Sequence, residues 1–141
     1  MATYNKFEDF VLRLGEGVHQ LHAAGHDLFV YLTDNTPSAS LDTVRADLVD
    51  VADGNGYTDG GKDVTNTYTE ASGTATLGGT TIVWTASGGT IGPFRYAVLY
   101  NDTPTSPADP LISWWDYGSS ITLQNGETFT VTIGASIFTL T

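Results

Sequence analysis

The residue types best suited to chemistry gather between positions 50 and 63, in DVADGNGYTDGGKD. There Asp50, Asp53, Asp59 and Asp63 are interleaved with Gly54, Gly56, Gly60 and Gly61. Carboxylates and the Asn55 amide are hard oxygen donors of the kind that hold Ca²⁺. Laid on the EF-hand loop from Asp53, however, only Asn55 falls in place. Tyr57 and Thr58 occupy the next required positions, and Val64 stands where the closing glutamate belongs. An irregular site built from Asp53, Asn55 and Asp59 is the metal reading that survives this comparison. The competing reading is a solvated turn: the glycines supply positive φ, Asp and Asn bond to their own backbone, and Tyr57 pins the loop to the body. The sequence favours the turn.

Other chemical signals are weaker. His22 and His26 are four apart, as zinc ligands on one helical face are. Gly25 interrupts them and Ala23, not glutamate, follows His22, so His19, His22 and His26 read as surface or packed polar residues. Gly-x-Ser-x-Gly is absent, and Ser87, before Gly88 and Gly89, lies in a turn between strands and not in a strand-to-helix elbow. Sixteen acidic residues make carboxylate pairs inevitable and hence uninformative about glycoside hydrolysis. Neither a phosphate loop nor a dinucleotide fingerprint occurs. The expectation is a non-enzyme without catalytic residues or cofactor.

Aromatic residues carry the remaining signal. Trp114, Trp115, Asp116 and Tyr117 are consecutive. On a strand they alternate between faces, so one Trp enters the core and the other faces outward or towards a partner. Exposed Trp and Tyr stack on sugars and also mark the centres of protein interfaces. Arg95 lies between Phe94 and Tyr96 and is expected to pair with Asp116 or Asp102, or to stack on a ring.

The elements that must position these groups are mostly strands. Residues 4–14, YNKFEDFVLRL, hold the best helical period, with Phe7, Phe10, Val11 and Leu14 on one face, Asn5 and Glu8 as a capping box, and Gly15 and Gly17 as stops. HDLFVYLTD reads as a strand with Leu28, Val30 and Leu32 opposed to Phe29 and Tyr31. LDTVRADLVDV reads as a short helical turn, capped by Asp42 or Thr43, that leads into a strand. Then come strand patterns in VTNTYTEA, TTIVWTA, FRYAVLY, LISWWDY, SITL, TFTVTI and SIFTLT, with SGGTIGP, NDTPTSPADP and GSS as breaks. Asn125-Gly126 is expected to close a hairpin between SITL and TFTVTI. About seven or eight strands at such spacing indicate an antiparallel jelly-roll-like sandwich with a short N-terminal helix. The expected organisation is an N-terminal helical arm over 1–25 and a β-sandwich over 26–141.

Composition narrows the partners. The net charge of −11 disfavours nucleic acid and anionic membranes, and Lys6, Arg13, Arg45, Lys62 and Arg95 are scattered. No apolar run reaches membrane-span length, and MATYNKFEDF lacks the pattern of a signal peptide. Synthesis in a cytoplasm, without export by that route, is expected. With no cysteine, the chain must fold without disulfides.

The strings GNGYTDGG, TASGGTIGPFRYAVLYND and PLISWWDYGSSITLQNGETFTV resemble those of small virion structural proteins of tailed bacteriophages, over most of residues 28–133. By size and expected fold the chain is also similar to capsid decoration, or cement, proteins. The resemblance implies a virion location on the capsid surface, the major capsid protein and further copies of the chain as partners, and no catalytic residues. The contact residues expected from the sequence are Phe7, Phe10, Val11 and Leu14 in the arm, with Trp114 or Trp115. A tail, fibre or capsid-displayed module that binds glycans through exposed aromatics is the alternative.

Overall fold

From Leu28 onward, β-branched and aromatic residues alternate with Thr and Ser, and such runs form strands because their side chains suit a pleated, half-buried surface. The computed structural model describes residues 3–133 and 136–141; residues 1 and 2 of the expected arm and 134 and 135 of the expected body lie outside that set. In chain order the elements are β1 (Thr3–Lys6), α1 (Glu8–Gly15), β2 (Leu28–Thr33), a 3₁₀ turn (Arg45–Asp47), β3 (Lys62–Asp63), β4 (Thr67–Ala71), β5 (Thr74–Gly78), β6 (Ile82–Thr85), β7 (Ile91–Asn101), β8 (Leu111–Leu123), β9 (Thr128–Val131) and β10 (Phe138–Leu140). The fold is mainly β, its strands pair antiparallel, and α1 is the one α-helix among the described residues. The large sheet runs β1-β8-β7-β2-β3, and two smaller ones run β10-β5-β4 and β6-β9.

The large sheet is apolar on both faces. Leu28, Val30 and Leu32 of β2 and Ala97 and Leu99 of β7 enter one core, which Leu77, Ile82, Trp84 and Val131 of the smaller sheets cover. Tyr31 of β2 and Tyr96, Val98 and Tyr100 of β7 enter a second core, closed by Phe7, Leu48, Leu111 and Trp114. The alternation of β2 is as the sequence suggests. β7 departs from strict alternation: its register against β8 shifts between Phe94 and Tyr96, so the two residues face opposite cores. A bulge of this kind inserts a residue and re-aims the side chains around it. Phe94 thereby meets Phe129, with ring centroids 4.8 Å apart.

Four local expectations are corrected. Residues 3–6 are an edge strand paired with Ser113–Asp116, not helix. The helix therefore starts at Glu8 with Phe7, not Asn5, at the N-cap position, and Phe7 makes no side-chain cap hydrogen bond. Pairing wins here because β1 gains a ladder with β8 while Phe7 reaches the second core. The Asn125-Gly126 turn does form, with Gly126 at φ 91°, but it does not close a hairpin. β8 pairs with β7 and β1, whereas β9 crosses to β6, so the turn links two sheets. Gly118, Ser119 and Ser120 do not break LISWWDY from SITL; β8 runs through them. The helical turn in LDTVRADLVDV exists at Arg45–Asp47 with Val44 as its N-cap, and the chain beyond makes only a bridge from Asp50 to Thr33. β5 went unread in the sequence. It pairs with β4 across Ser72 and Gly73, both at positive φ, as a tight hairpin turn requires.

The segment expected as a free arm is docked over its described length. Phe7 is fully buried with its ring 4.5 Å from that of Trp114, its N–H donates to the Ile112 carbonyl at 3.1 Å, and Phe10 is buried against the first core. A truncated body should therefore lose a wall of each core. Phe7→Ala is expected to lower unfolding free energy by about 3–5 kcal/mol in a denaturant titration, and removal of residues 1–17 to abolish the cooperative transition. A truncated chain that still unfolds at the wild-type midpoint would contradict this packing.

Candidate functional site

The acidic loop folds around a cation that the chain itself supplies. Arg45 Nη2 donates to Asp50 Oδ2 at 2.9 Å and to Asp59 Oδ1 at 2.7 Å. Its guanidinium lies 5.6 Å from the Tyr31 ring and 5.7 Å from the Tyr100 ring, within cation–π range of both. Asp50 is mostly buried and accepts two further bonds: one from the Tyr57 hydroxyl, and one from the Gly60 N–H at 2.7 Å. Burial nonetheless lifts its carboxyl above the ordinary value, against the pull of these donors. Tyr57 does pin the loop. Its hydroxyl accepts from the Leu32 N–H at 2.9 Å and its ring rests 5.9 Å from that of Trp84. Gly61 lies so close to the Val30 carbonyl that a Cβ there has no space, and at φ +80°.

The three calcium candidates are turned to separate tasks. Asp59 faces Arg45, Asp53 Oδ1 accepts from the Asp59 N–H at 3.0 Å, and the Asn55 amide donates to the Thr90 carbonyl at 3.0 Å. Among the described residues no group of three or more His, Cys, Asp or Glu side chains is placed to hold a metal ion. Sequence reasoning counted Asp50 but missed its role. The signal was a lone Arg45 five residues before it in a chain poor in cations.

His22 and His26 are not on a helix. The histidine that matters structurally is His19, buried beside α1. The Asn101 amide donates to His19 Nδ1 at 3.1 Å and to His26 Nδ1 at 2.9 Å. That leaves the proton of the neutral His19 ring on Nε2, which is buried with no partner. Burial, reinforced by His26, pushes His19 down from 6.5 to about 4.

Two grooves open on the first-core side of the large sheet. One, about 480 Å³, has Arg95, Ala97, Trp115 and Tyr117 as its floor and the run from Phe129 to Thr132 as its wall. The other, about 330 Å³, lies between β1, α1 and β10 and includes Lys6, Val11, Leu14 and Leu140. The Tyr4 and Trp115 rings, 5.9 Å apart, stand between the two. The predicted contact residues thus divide. Phe7, Phe10 and Trp114 are buried within the chain's own cores, Leu14 is half-buried, and Val11 is 55% exposed. Trp115 opens to the larger groove, on the opposite face from Trp114. Arg95 chooses Asp116, with Nε at 2.8 Å and Nη2 at 2.9 Å, and also lies 5.3 Å from the Tyr96 ring. Arg95 holds the Asp116 carboxyl below its ordinary value.

No family model, curated protein or solved structure matches this chain.

Two predictions follow from the buried groups. Asp50→Ala strands Arg45 and two further donors, the Tyr57 hydroxyl and the Gly60 N–H, and should cost about 3–5 kcal/mol, whereas Asp59→Ala, at the exposed end of the same pair, should cost under about 1 kcal/mol; equal costs would contradict the assignment. For His19 the folded value lies below the unfolded one. The unfolded chain then binds more protons between about pH 6.5 and 4, and stability falls as the pH drops through that window. Asp50 and Asp109, raised by burial, act in the opposite sense, and Asp59 and Asp116, both lowered, act below the ordinary carboxylate value. The informative quantity is therefore a difference: between pH 7 and pH 4 the wild type should lose about 3 kcal/mol more than His19→Gln. Parallel pH curves would remove His19 from the account.

Proposed function

We propose that this chain is a virion structural protein of a tailed bacteriophage, and most specifically a capsid decoration or cement protein that binds across major capsid subunits and stiffens the shell. The fold reading that accompanies this is a jelly-roll-like sandwich, with the five-stranded sheet as one layer and β10-β5-β4 and β6-β9 as the other. The reading rests first on the resemblance of the strings quoted above. The structural observation that supports it best is the outward face of α1. Val11 and Leu12 are each 55% exposed, and the groove beside them ends in Leu140, 49% exposed. An eight-residue helix docked by Phe10 and tied by the Arg13–Asp9 ion pair at 3.0 Å presents these side chains on a rigid support. Adjacent apolar groups on a fixed ridge suit burial against another protein.

In this mechanism no bond is made or broken. Apolar contact at α1 and pairing at the open edges of β1 and β10 give each copy modest affinity. Repetition over a shell makes the sum large. The protein would be made in the host cytoplasm, end on the capsid surface, and contact the major capsid protein and other copies of itself.

The test is co-sedimentation of the purified chain with empty shells, alongside quantitative mass spectrometry of intact particles. The double variant Val11→Ser, Leu12→Ser should fold normally and bind shells at least about tenfold more weakly, the loss of two buried aliphatic contacts. Wild-type chain should be present at on the order of hundreds of copies per particle, as a lattice-repeated binder must be. A handful of copies would place it in the tail or at a vertex, and absence from particles would refute a virion role.

A further inference from the structure

We infer that the open edge of β9 receives an extended, cationic segment of a different polypeptide, laid as an added β-strand along the larger groove. The inference does not depend on the capsid reading, since it uses neither α1 nor the edges of β1 and β10.

The backbone selects the class of occupant. Among the described residues β9 pairs only with β6, so its other edge is open. The Ala86 N–H donates to the Glu127 carbonyl at 2.9 Å, which makes 86 and 127 a hydrogen-bonded pair. Bonded and non-bonded pairs alternate along an antiparallel ladder. Trp84–Phe129 and Ile82–Val131 are then bonded pairs, and Thr85–Thr128 and Val83–Thr130 are not. The Val83 carbonyl agrees, since it accepts from Lys62 Nζ at 2.6 Å. Thr128 and Thr130 therefore turn their N–H and C=O outward, away from β6. Phe129 to Thr132 line the groove in unbroken succession, so it meets β9 at this edge and not at a face. Donors and acceptors set at alternate residues of an open edge are what another extended main chain satisfies. Nor is the edge guarded: TFTVT, residues 128–132, contains no charge, Gly or Pro, the usual devices against pairing.

The floor selects the side chains. Trp115 and Tyr117 are two apart on β8 and so share a face. Phe129 packs edge-on against Tyr117, with centroids 5.5 Å apart. Tyr117 is half exposed, so part of this aromatic surface is uncovered. Alternate residues of an added strand face this floor and must be apolar, while the residues between them face solvent. No carboxylate among the described residues lines the groove, but its one cation, Arg95, lies in the fields of both Asp116 and Asp34, and the chain carries −11. Basic residues on the outward side of the strand are therefore attracted, and acidic ones repelled.

Geometry excludes a second folded copy. Lys62 of β3 reaches β6, whereas the groove floor lies on β7 and β8, so the open edge of β9 faces the β1 side of the large sheet. There the large sheet continues beneath the gap, with Trp115 of β8 paired to Tyr4 of β1. Two copies joined antiparallel through β9 would be related by a two-fold axis normal to the sheet. The β8 and β1 strands of each would then fall in the layer already held by those of the other. A single strand, with no second layer attached, escapes that clash. The shared charge of −11 also keeps copies apart.

The experiment uses the intact chain and synthetic peptides about seven residues long, capped at both ends, that alternate lysine with valine or lysine with leucine. Each is titrated to about 1 mM while amide and indole resonances are followed by NMR. Control peptides alternate glutamate with valine and lysine with serine. At least one lysine–aliphatic peptide should shift the Thr130 amide and the Trp115 indole saturably, slow exchange of the Thr130 amide, and leave the buried Trp84 indole unmoved; added salt should weaken the response. Thr130→Pro removes the outward donor without touching the β6 ladder. That variant and Tyr117→Ala should each weaken binding at least about tenfold, and Val11→Ser in the other groove should not change it. Folding of the variants is checked by the Trp84 indole resonance. Silence with both lysine–aliphatic peptides would overturn the inference. So would equal binding of the glutamate–valine peptide, or full affinity in folded Thr130→Pro. Concentration-dependent self-association that Thr130→Pro abolishes would assign the edge to a second copy and overturn it equally.

Discussion

A sheet whose central strands are apolar on both faces is stable only when both faces are covered, because each uncovered row of Leu, Val or Tyr leaves apolar area in water. Here β2 and β7 impose that constraint: Leu28, Val30, Leu32 and Leu99 on one side, Tyr31, Tyr96, Val98 and Tyr100 on the other. Most of the remaining architecture answers it. The smaller sheets cover the first face. The second is covered by a patchwork of Phe7, Leu48, Leu111 and Trp114, drawn from distant parts of the chain. The N-terminal segment is therefore needed by the fold, and what it can offer a partner is limited to what it leaves outside, namely Val11 and Leu12.

The acidic loop follows the same logic in polar form. A chain with few cations places Arg45 between two tyrosine rings and lets Asp50 and Asp59 close on it. Buried ion pairs gain little net stability over apolar packing, but losing one partner is costly. Asp50 is thus bound to its place by Tyr57, Gly60 and Arg45 together, and the surrounding glycines let the backbone come close enough for those bonds. The loop that looked most like a site is a clasp between the 3₁₀ turn, β2 and β7.

Much of this was legible in the sequence wherever alternation alone decides the outcome. The two faces of β2 and the opposition of Trp114 and Trp115 follow from period-two geometry, and the pinning role of Tyr57 from its place among glycines; charge scarcity narrowed Arg95 to Asp116, Asp102 or a ring, and the fold decides for Asp116. What was not legible depends on tertiary competition. Phe7 to Leu14 has a helical period, but nothing local says that residues 3–6 gain more from pairing with β8. Asn125-Gly126 encodes a turn without encoding which strands flank it as partners. The Phe94 bulge, and with it the edge-on contact with Phe129 at the groove, needs the register of β8 to be known. The groove itself joins residues from β7, β8 and β9, three separate runs whose adjacency no short pattern contains.

These points converge on one structural claim, that residues 3–10 belong to the same cooperative unit as the central sheet. Native-state hydrogen exchange tests it most directly, by comparing the Phe7 amide, bonded to Ile112, with the amides of β2 and β7. The account predicts that Phe7 exchanges together with the central strands, through global unfolding and with the same dependence on denaturant. Exchange of Phe7 by a separate, low-energy opening while β2 and β7 stay protected would show a detachable arm on an independently stable body, and would contradict it.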